Sequence, residues 1–235
     1  MTISILGAGA WGTAIAISLS SKHNNLILWT RNKSTFEFIS KKRESDRLLG
    51  CLIPENISAR LALENVIHSN LIIIATPTQS LREVCKQLHT SGVKSSTAII
   101  ITCKGIEKST LMLPSEVVKE ILPNNHVAIF SGPSFAIEVA KKLPYSMVLA
   151  CEDNALGLKL ISQLQHENIK LQFSNDIIGV QTCAALKNVF AIACGIILGK
   201  GLGFNAHAAL ITKSMEEIKT LYLAKTNNTN LGILL

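Results

Sequence analysis

The sequence is short of charge and of aromatic rings. Asp, Glu, Lys and Arg make up 17% of its 235 residues and Phe, Trp and Tyr only 5%, against 48% hydrophobic residues. Low charge with high apolar content excludes a long disordered chain. It leaves enough core material for one large domain or two smaller ones. The six cysteines are scattered (Cys51, Cys85, Cys103, Cys151, Cys183, Cys194) and no pair has C-x-x-C spacing. A small secreted disulfide scaffold would be shorter and denser, so reduced thiols in a cytosol, packing as small apolar groups, are expected. The six histidines show no H-x-x-x-H spacing, which gives no support for a metal site. No basic region precedes the first apolar run, and that run is only a strand long, so no signal peptide is expected. Repeats and low-complexity stretches are lacking as well.

Acidic residues are outnumbered, 16 to 23, for a net charge of +7. Such a surplus suits nucleic acid, anionic lipid or anionic small molecules. It is not gathered into a long run. The densest cluster, Lys41-Lys42-Arg43, is followed by Glu44 and Asp46 and reads as a solvated helix end. A nucleic-acid partner is not expected.

The most informative stretch is at the start, ISILGAGAWG, Ile3 to Gly12. An apolar run meets glycines at G-x-G-x-x-G spacing, and a stretch with helical character, Thr13 to Leu19, follows. This is strand, glycine turn, helix. In a dinucleotide site Gly7 permits the tight turn, Gly9 lets the backbone approach a pyrophosphate, and Gly12 lets helix and strand pack closely. The helix N-terminus offers free N–H groups and a positive dipole end to the phosphates.

A second strand, Leu26 to Trp29, ends in Thr30-Arg31-Asn32. NAD binders usually place a carboxylate there, on the ribose 2′-hydroxyl. Here Arg31 stands ready for a 2′-phosphate, which favours NADPH over NADH. Ser34-x-x-Glu37 is a capping-box pattern that opens a short helix. Residues 44 to 64 are irregular, with Pro54 among them. The runs Leu71 to Ala75 and Ala98 to Thr102 predict strands buried on both faces of a parallel sheet. A second capping box, Ser80-x-x-Glu83, starts a helix toward Leu88. Lys104, just beyond the strand 98–102, is placed to meet an anion, since ligands of open α/β sheets sit past the carboxyl ends of the strands. A helix follows over Leu113 to Leu122 with Pro114 in its first turn, then a strand over Val127 to Phe130. Ser134 is a candidate helix N-cap. Strands over Tyr145 to Ala150 and Lys170 to Phe173 flank a helix from Asn154 to Gln165. The alternating order predicts an α/β fold with a mainly parallel sheet.

After Asp176 the pattern changes. Ile177 to Gly199 is an apolar stretch with one charge, Lys187. Roughly 20 apolar residues span a bilayer. A central lysine costs about 2.5–3.5 kcal/mol there, so a buried helix of a soluble helical domain is the expectation, with no transmembrane segment. Lys187 would then be partly desolvated among Val180, Cys183, Ala184 and Ala191, which lowers a lysine pKa and suits proton transfer. The alternative is an amine that snorkels to water. A connector over Gly199 to Asn205, a last helix from Ala206 to about Lys225, and a polar stretch Thr226 to Asn230 complete the chain. The expected division is residues 1–175, a dinucleotide-binding domain, and 176–235, the start of a helical substrate domain.

GAGAWGTA, LWTRN, TCKGIE, SGPSFAIEVA, IGVQ…ALKNVFAIACG and GFNAHAALITK occur in this order. In these motifs the chain resembles the bacterial NAD(P)-dependent glycerol-3-phosphate dehydrogenases, from its first strand to about Lys225. The resemblance implies a cytoplasmic enzyme with NADPH or NADH as cofactor. Its reaction would interconvert dihydroxyacetone phosphate and sn-glycerol 3-phosphate for glycerophospholipid synthesis. It implies cofactor contacts at Gly7, Gly9, Ala10, Trp11, Gly12, Arg31, Lys104 and Ala136. Substrate contacts would come from Lys104, Gly132, Ser134 and Lys187, with Lys187 as proton donor and acceptor. The family continues past this chain, through a Gly-Asp and a Ser-Arg-Asn motif that complete the phosphate site. Neither motif is present here, and the tail TNNTNLGILL departs from the pattern, so an incomplete helical domain is expected. Three readings stand: a dehydrogenase of this family, a non-catalytic nucleotide-binding remnant of it, and a sibling oxidoreductase with another carbonyl substrate. A homo-oligomer is compatible with all three.

Overall fold

In the computed structural model, which describes residues 1–226, the run Ile3–Leu6 forms β1 and the glycine turn leads into α1 (Ala10–Leu19). Next come β2 (Leu26–Trp29), α2 (Lys33–Lys42), β3 (Ile57–Arg60), β4 (Leu71–Ile74) and α3 (Leu81–Thr90). The alternation continues through β5 (Ala98–Ile101), α4 (Pro114–Ile121), β6 (Val127–Ser131), α5 (Ala136–Ala140), β7 (Tyr145–Cys151), α6 (Asn154–Leu164) and β8 (Ile169–Ser174). Two long helices follow, α7 (Ile177–Gly199) and α8 (Gly203–Thr226).

The eight strands form one sheet in the order β3-β2-β1-β4-β5-β6-β7-β8. All neighbours are parallel except β6 and β7. Every residue of β1, β4 and β5 is buried. The period of two explains their unbroken apolar runs, because both faces are covered. Leu71 and Ile73 of β4 enter one core, with Ile3, Ile5, Ala14 and Ile15. Ile72 and Ile74 enter the other, with Leu81, Val84, Ile99 and Ile101. Chain order reverses between β1 and β4, and the crevice beyond their carboxyl ends is where such folds bind ligands.

Several local expectations change. β3 falls inside the stretch read as irregular. It is a four-residue edge strand in which Ile57 and Ala59 are buried, too short for its alternation to stand out. Asn32 caps α2 in place of Ser34: its Oδ1 accepts from Thr35 N (3.1 Å) and from Ser34 Oγ (2.6 Å). Ser80 occupies the N-cap position of α3 but makes no side-chain cap bond, because a turn of 3-10 helix (Thr78–Ser80) already feeds the chain into the helix. Pro114 is the first residue of α4, and Glu116 accepts from Leu113 N (2.6 Å). Ser134 is no cap either, since Phe135 holds that position before α5. The connector before α8 shortens to Lys200–Leu202, turning at Gly201 with φ +64°. All six cysteines are unpaired and four are buried.

The bounds of α7 match the apolar stretch, but its expected burial holds only for its start. Its buried residues end at Ala184. Ile192 is 67% exposed, and Val189, Ile196 and Leu198 are exposed too. By length and composition α7 could cross a membrane. In this structure its first turns pack on the sheet domain instead. Gln181, buried, donates from Nε2 to Ser115 Oγ (2.8 Å), and its Oε1 accepts from Ser115 N (2.8 Å) at the start of α4. α7 and α8 pair through a small core of their own around Ile218 and Tyr222. Except for Thr226, the polar stretch Thr226–Asn230 and the tail beyond it lie outside the described residues.

Candidate active site

The G-x-G-x-x-G turn divides its labour between fold and cleft. Gly7 has φ +116°, and a Cβ there would stand 2.8 Å from the Ala75 carbonyl oxygen. A Cβ on Gly12 would stand 1.9 Å from the Gly7 carbonyl oxygen, so Gly12 keeps α1 tight against the turn. Gly9 differs. It is exposed, its backbone is extended (φ −77°, ψ −179°), and a Cβ there meets nothing within 4 Å. That open space faces the N-terminus of α1, where a pyrophosphate would need it.

A cleft of about 550 Å³ opens at the reversal point of the sheet. It brings together Gly7, Gly9, Ala10, Trp11, Arg31 and Lys104. Gly12 lies behind the turn. Thr76, Thr78, Arg47 and Cys103 also line the cleft and were missed in the sequence. Thr76 and Thr78 follow β4, so the strand-end rule that singled out Lys104 could have found them. Arg47 sits in an irregular segment, and only the tertiary fold brings it near. The buried Trp11 Nε1 and Thr76 Oγ1 have no hydrogen-bond partner among the described residues. Unpaired donors in the wall, an open Gly9 and an arginine at the end of β2 together fit a dinucleotide.

Lys104 is held in several ways. The Thr78 hydroxyl donates to its carbonyl (3.0 Å) and Gln79 Nε2 donates to Ile106 O (2.8 Å), which ties the loop after β5 to the loop after β4. Further along, the buried Glu107 accepts from Arg82 (2.9 Å), and that contact holds its carboxyl below the usual range. The Lys104 ammonium lies over the Trp11 ring, 5.5 Å from its centroid. Burial, and then the neighbouring Lys187 ammonium, push Lys104 down to about 8. As pH rises through about 8, Lys104 loses its charge, so the affinity for a phosphate-bearing ligand should fall across that range. Titrating NADPH binding from pH 7 to 9 checks this; a flat profile would count against Lys104 as a phosphate contact.

Lys187 lies outside the cleft lining but next to Lys104. It is half-buried and donates to the Gly132 carbonyl (2.8 Å), which also accepts from Ser134 Oγ (3.4 Å). Gly132 is packed closely: a Cβ would stand 2.9 Å from the Ser146 carbonyl oxygen. Ala136 opens α5 and packs against the core shared with α1. Lys187, Gly132 and Ser134 thus form one cluster that Lys104 joins to the cleft.

Two family models cover this arrangement. NAD-dependent glycerol-3-phosphate dehydrogenase N-terminus matches residues 2–157, and its C-terminus counterpart matches residues 176–233. The chain belongs to the NAD-dependent glycerol-3-phosphate dehydrogenase family. Its second match runs into the tail that was expected to depart from the pattern. Glycerol-3-phosphate dehydrogenase [NAD(P)+] from the Wolbachia of Brugia malayi is 72% identical over 99% of this chain and 71% of its own length. The Ehrlichia chaffeensis enzyme of that name is 48% identical over all of this chain and 73% of its own. A crystal structure of glycerol-3-phosphate dehydrogenase from Coxiella burnetii superposes with a TM-score of 0.90 at 33% identity, over 96% of this chain and 69% of that one.

Proposed function

We propose that the chain is a cytoplasmic NAD(P)-dependent oxidoreductase that interconverts dihydroxyacetone phosphate and sn-glycerol 3-phosphate and so feeds glycerophospholipid synthesis. The observation that carries this reading is the Lys187–Gly132 hydrogen bond beside Lys104. It joins the helical segment to the mouth of the nucleotide cleft. Family membership favours this substrate over the sibling reading. The proposed boundary between nucleotide and substrate parts is residue 175/176, where the sheet ends and α7 begins.

Bound nicotinamide supplies or receives the hydride. The chain's own residues then have separate tasks. Gly9 and the N-terminus of α1 hold the pyrophosphate, Ala10 and Trp11 wall the cleft, and Ala136 closes on the cofactor side. Gly132 and Ser134 position the substrate. In the reduction, negative charge grows on the carbonyl oxygen of dihydroxyacetone phosphate. The ammonium of Lys187 stabilises that charge and gives the oxygen its proton, while Lys104 adds a second positive charge. In the oxidation, neutral Lys187 takes the proton back. The test is NADPH oxidation on adding dihydroxyacetone phosphate, with sn-glycerol 3-phosphate as the product. A chain that binds NADPH yet turns over no substrate would support the remnant reading.

Arg31, exposed at the cleft rim, faces the ribose end and selects NADPH. A charge-assisted contact contributes about 1.5–3 kcal/mol, so Arg31→Ala should weaken NADPH roughly tenfold or more and leave NADH almost unchanged. Equal losses for both cofactors would sink the 2′-phosphate role.

The exposed apolar face of α7 and α8 supports self-association of the 235-residue chain. Ile192 is 67% and Phe204 84% exposed. Apolar patches of this kind mark association sites. Light scattering should give a mass above that of a monomer, and Ile192→Lys with Phe204→Lys should lower it. A monomer at micromolar concentration would refute this.

A further inference from the structure

The sheet has a second cavity at its opposite end, beyond the amino ends of β1, β4 and β5 and walled on one side by α6. Its volume is about 570 Å³, comparable with the 550 Å³ of the nucleotide cleft. His68, Lys94 and Lys159 line it, together with Ser96, Thr97 and Gln163. Among the described residues, no Asp or Glu does. Among those residues the side chains of Lys94, Lys159 and His68 make no hydrogen bond or ion pair either. The opening therefore carries unneutralised positive charge beside the Ser96 hydroxyl and the Gln163 amide, which can donate hydrogen bonds.

The floor is fixed by its own bonds. Asn125 Nδ2 donates to Lys94 O (2.8 Å) and to Thr97 O (2.9 Å), which locks the turn that carries Lys94. Thr97 Oγ1 donates to Ser69 O (2.9 Å), and the buried Ser69 hydroxyl pairs with that of Ser4 (2.6 Å). Thr2 N donates to Asn70 Oδ1 (2.9 Å). A floor held this way loses little entropy when a ligand docks. Both volumes fall within the usual size of small-molecule sites.

We propose that this cavity is a second anion site, for a small soluble phosphate ester held by Lys94, Lys159 and His68. It is separate from the nucleotide cleft and does not depend on the activity proposed above. Inorganic pyrophosphate is the probe, titrated into the full chain at low salt by calorimetry and by amide NMR. Binding should shift the amides of Ser96, Thr97 and Ala98. In Lys94→Gln/Lys159→Gln, affinity should fall roughly tenfold or more, because two charge-assisted contacts are lost. Both lysines are exposed, so the melting temperature without ligand should be unchanged. Shifts confined to Gly7–Trp11 and Arg31 would place the anion in the nucleotide cleft and overturn the proposal. So would an unchanged affinity in the double variant. Binding to phosphatidic acid vesicles without binding to pyrophosphate would also overturn it, in favour of a lipid headgroup. If the double variant failed to fold, the shift map of the unmodified chain would decide alone.

Discussion

Replacing Lys187 with alanine is expected to remove turnover and leave NADPH binding intact. Lys187 lies outside the lining of the nucleotide cleft, so the cofactor loses no direct contact. The Gly132 carbonyl, 2.8 Å away, holds the amine at the cleft mouth. That placement matters for the chemistry, because a positioned acid or base contributes roughly a hundred- to ten-thousandfold to rate. A drop of that size in kcat with an unchanged NADPH Kd below about pH 7 is the expected result. It is to be measured in the 235-residue chain and in a version extended to the length of its relatives. Lys187→Ala also relieves Lys104 of a neighbouring positive charge, the second cause of its depression to about 8. The pH at which NADPH affinity falls should therefore move upward in the variant. That shift reports the closeness of the two amines, and the loss of turnover reports the proton-transfer role. Retained turnover would refute the assignment.

Gly9→Val and Gly12→Ala should part company in how they fail. Gly9 has backbone angles open to any residue, and its Cβ would meet nothing within 4 Å. Gly9→Val should fold with a near-parental melting temperature. It should still lose most NADPH affinity, since the added methyl groups fill the space the pyrophosphate would take. In Gly12→Ala the new Cβ meets backbone, 1.9 Å from the Gly7 carbonyl oxygen. Neither partner is a flexible side-chain end, so α1 must shift, at a cost of about 3 kcal/mol or more. Binding and stability should fall together. If Gly9→Val bound NADPH as well as the parent, the cleft would not be the cofactor site. If Gly12→Ala melted unchanged, the tight turn would not be what the small residue is for.

The nucleotide part of this chain was legible because its signals are local. Strands buried on both faces show as apolar runs at β1, β4 and β5. The glycine spacing announces a turn whose steric demands lie within a few residues. Lys104 was legible from the rule that strand ends face the ligand. The resemblance assigned Lys187, whose isolation in an apolar stretch had already marked it out. Other features needed the tertiary structure, because they depend on residues distant in sequence. Asn32 caps α2 where Ser34 matched the pattern just as well, and the two differ only in where the backbone turns. β3 exists because β2 lies beside it. Arg47 reaches the cleft from an irregular segment. The depression of Lys104 needed the tertiary structure too, since its burial and the approach of Lys187 come from elements far apart in the chain. The second half of α7 is largely exposed, although its composition asked for burial throughout. By itself the sequence determined the buried inner strands, the glycine turn and the family motifs, because periodicity and turn sterics act over a few residues. Only the tertiary structure decided which charged groups face one another and which apolar faces find a partner, since both depend on the distance between elements that the chain order does not contain.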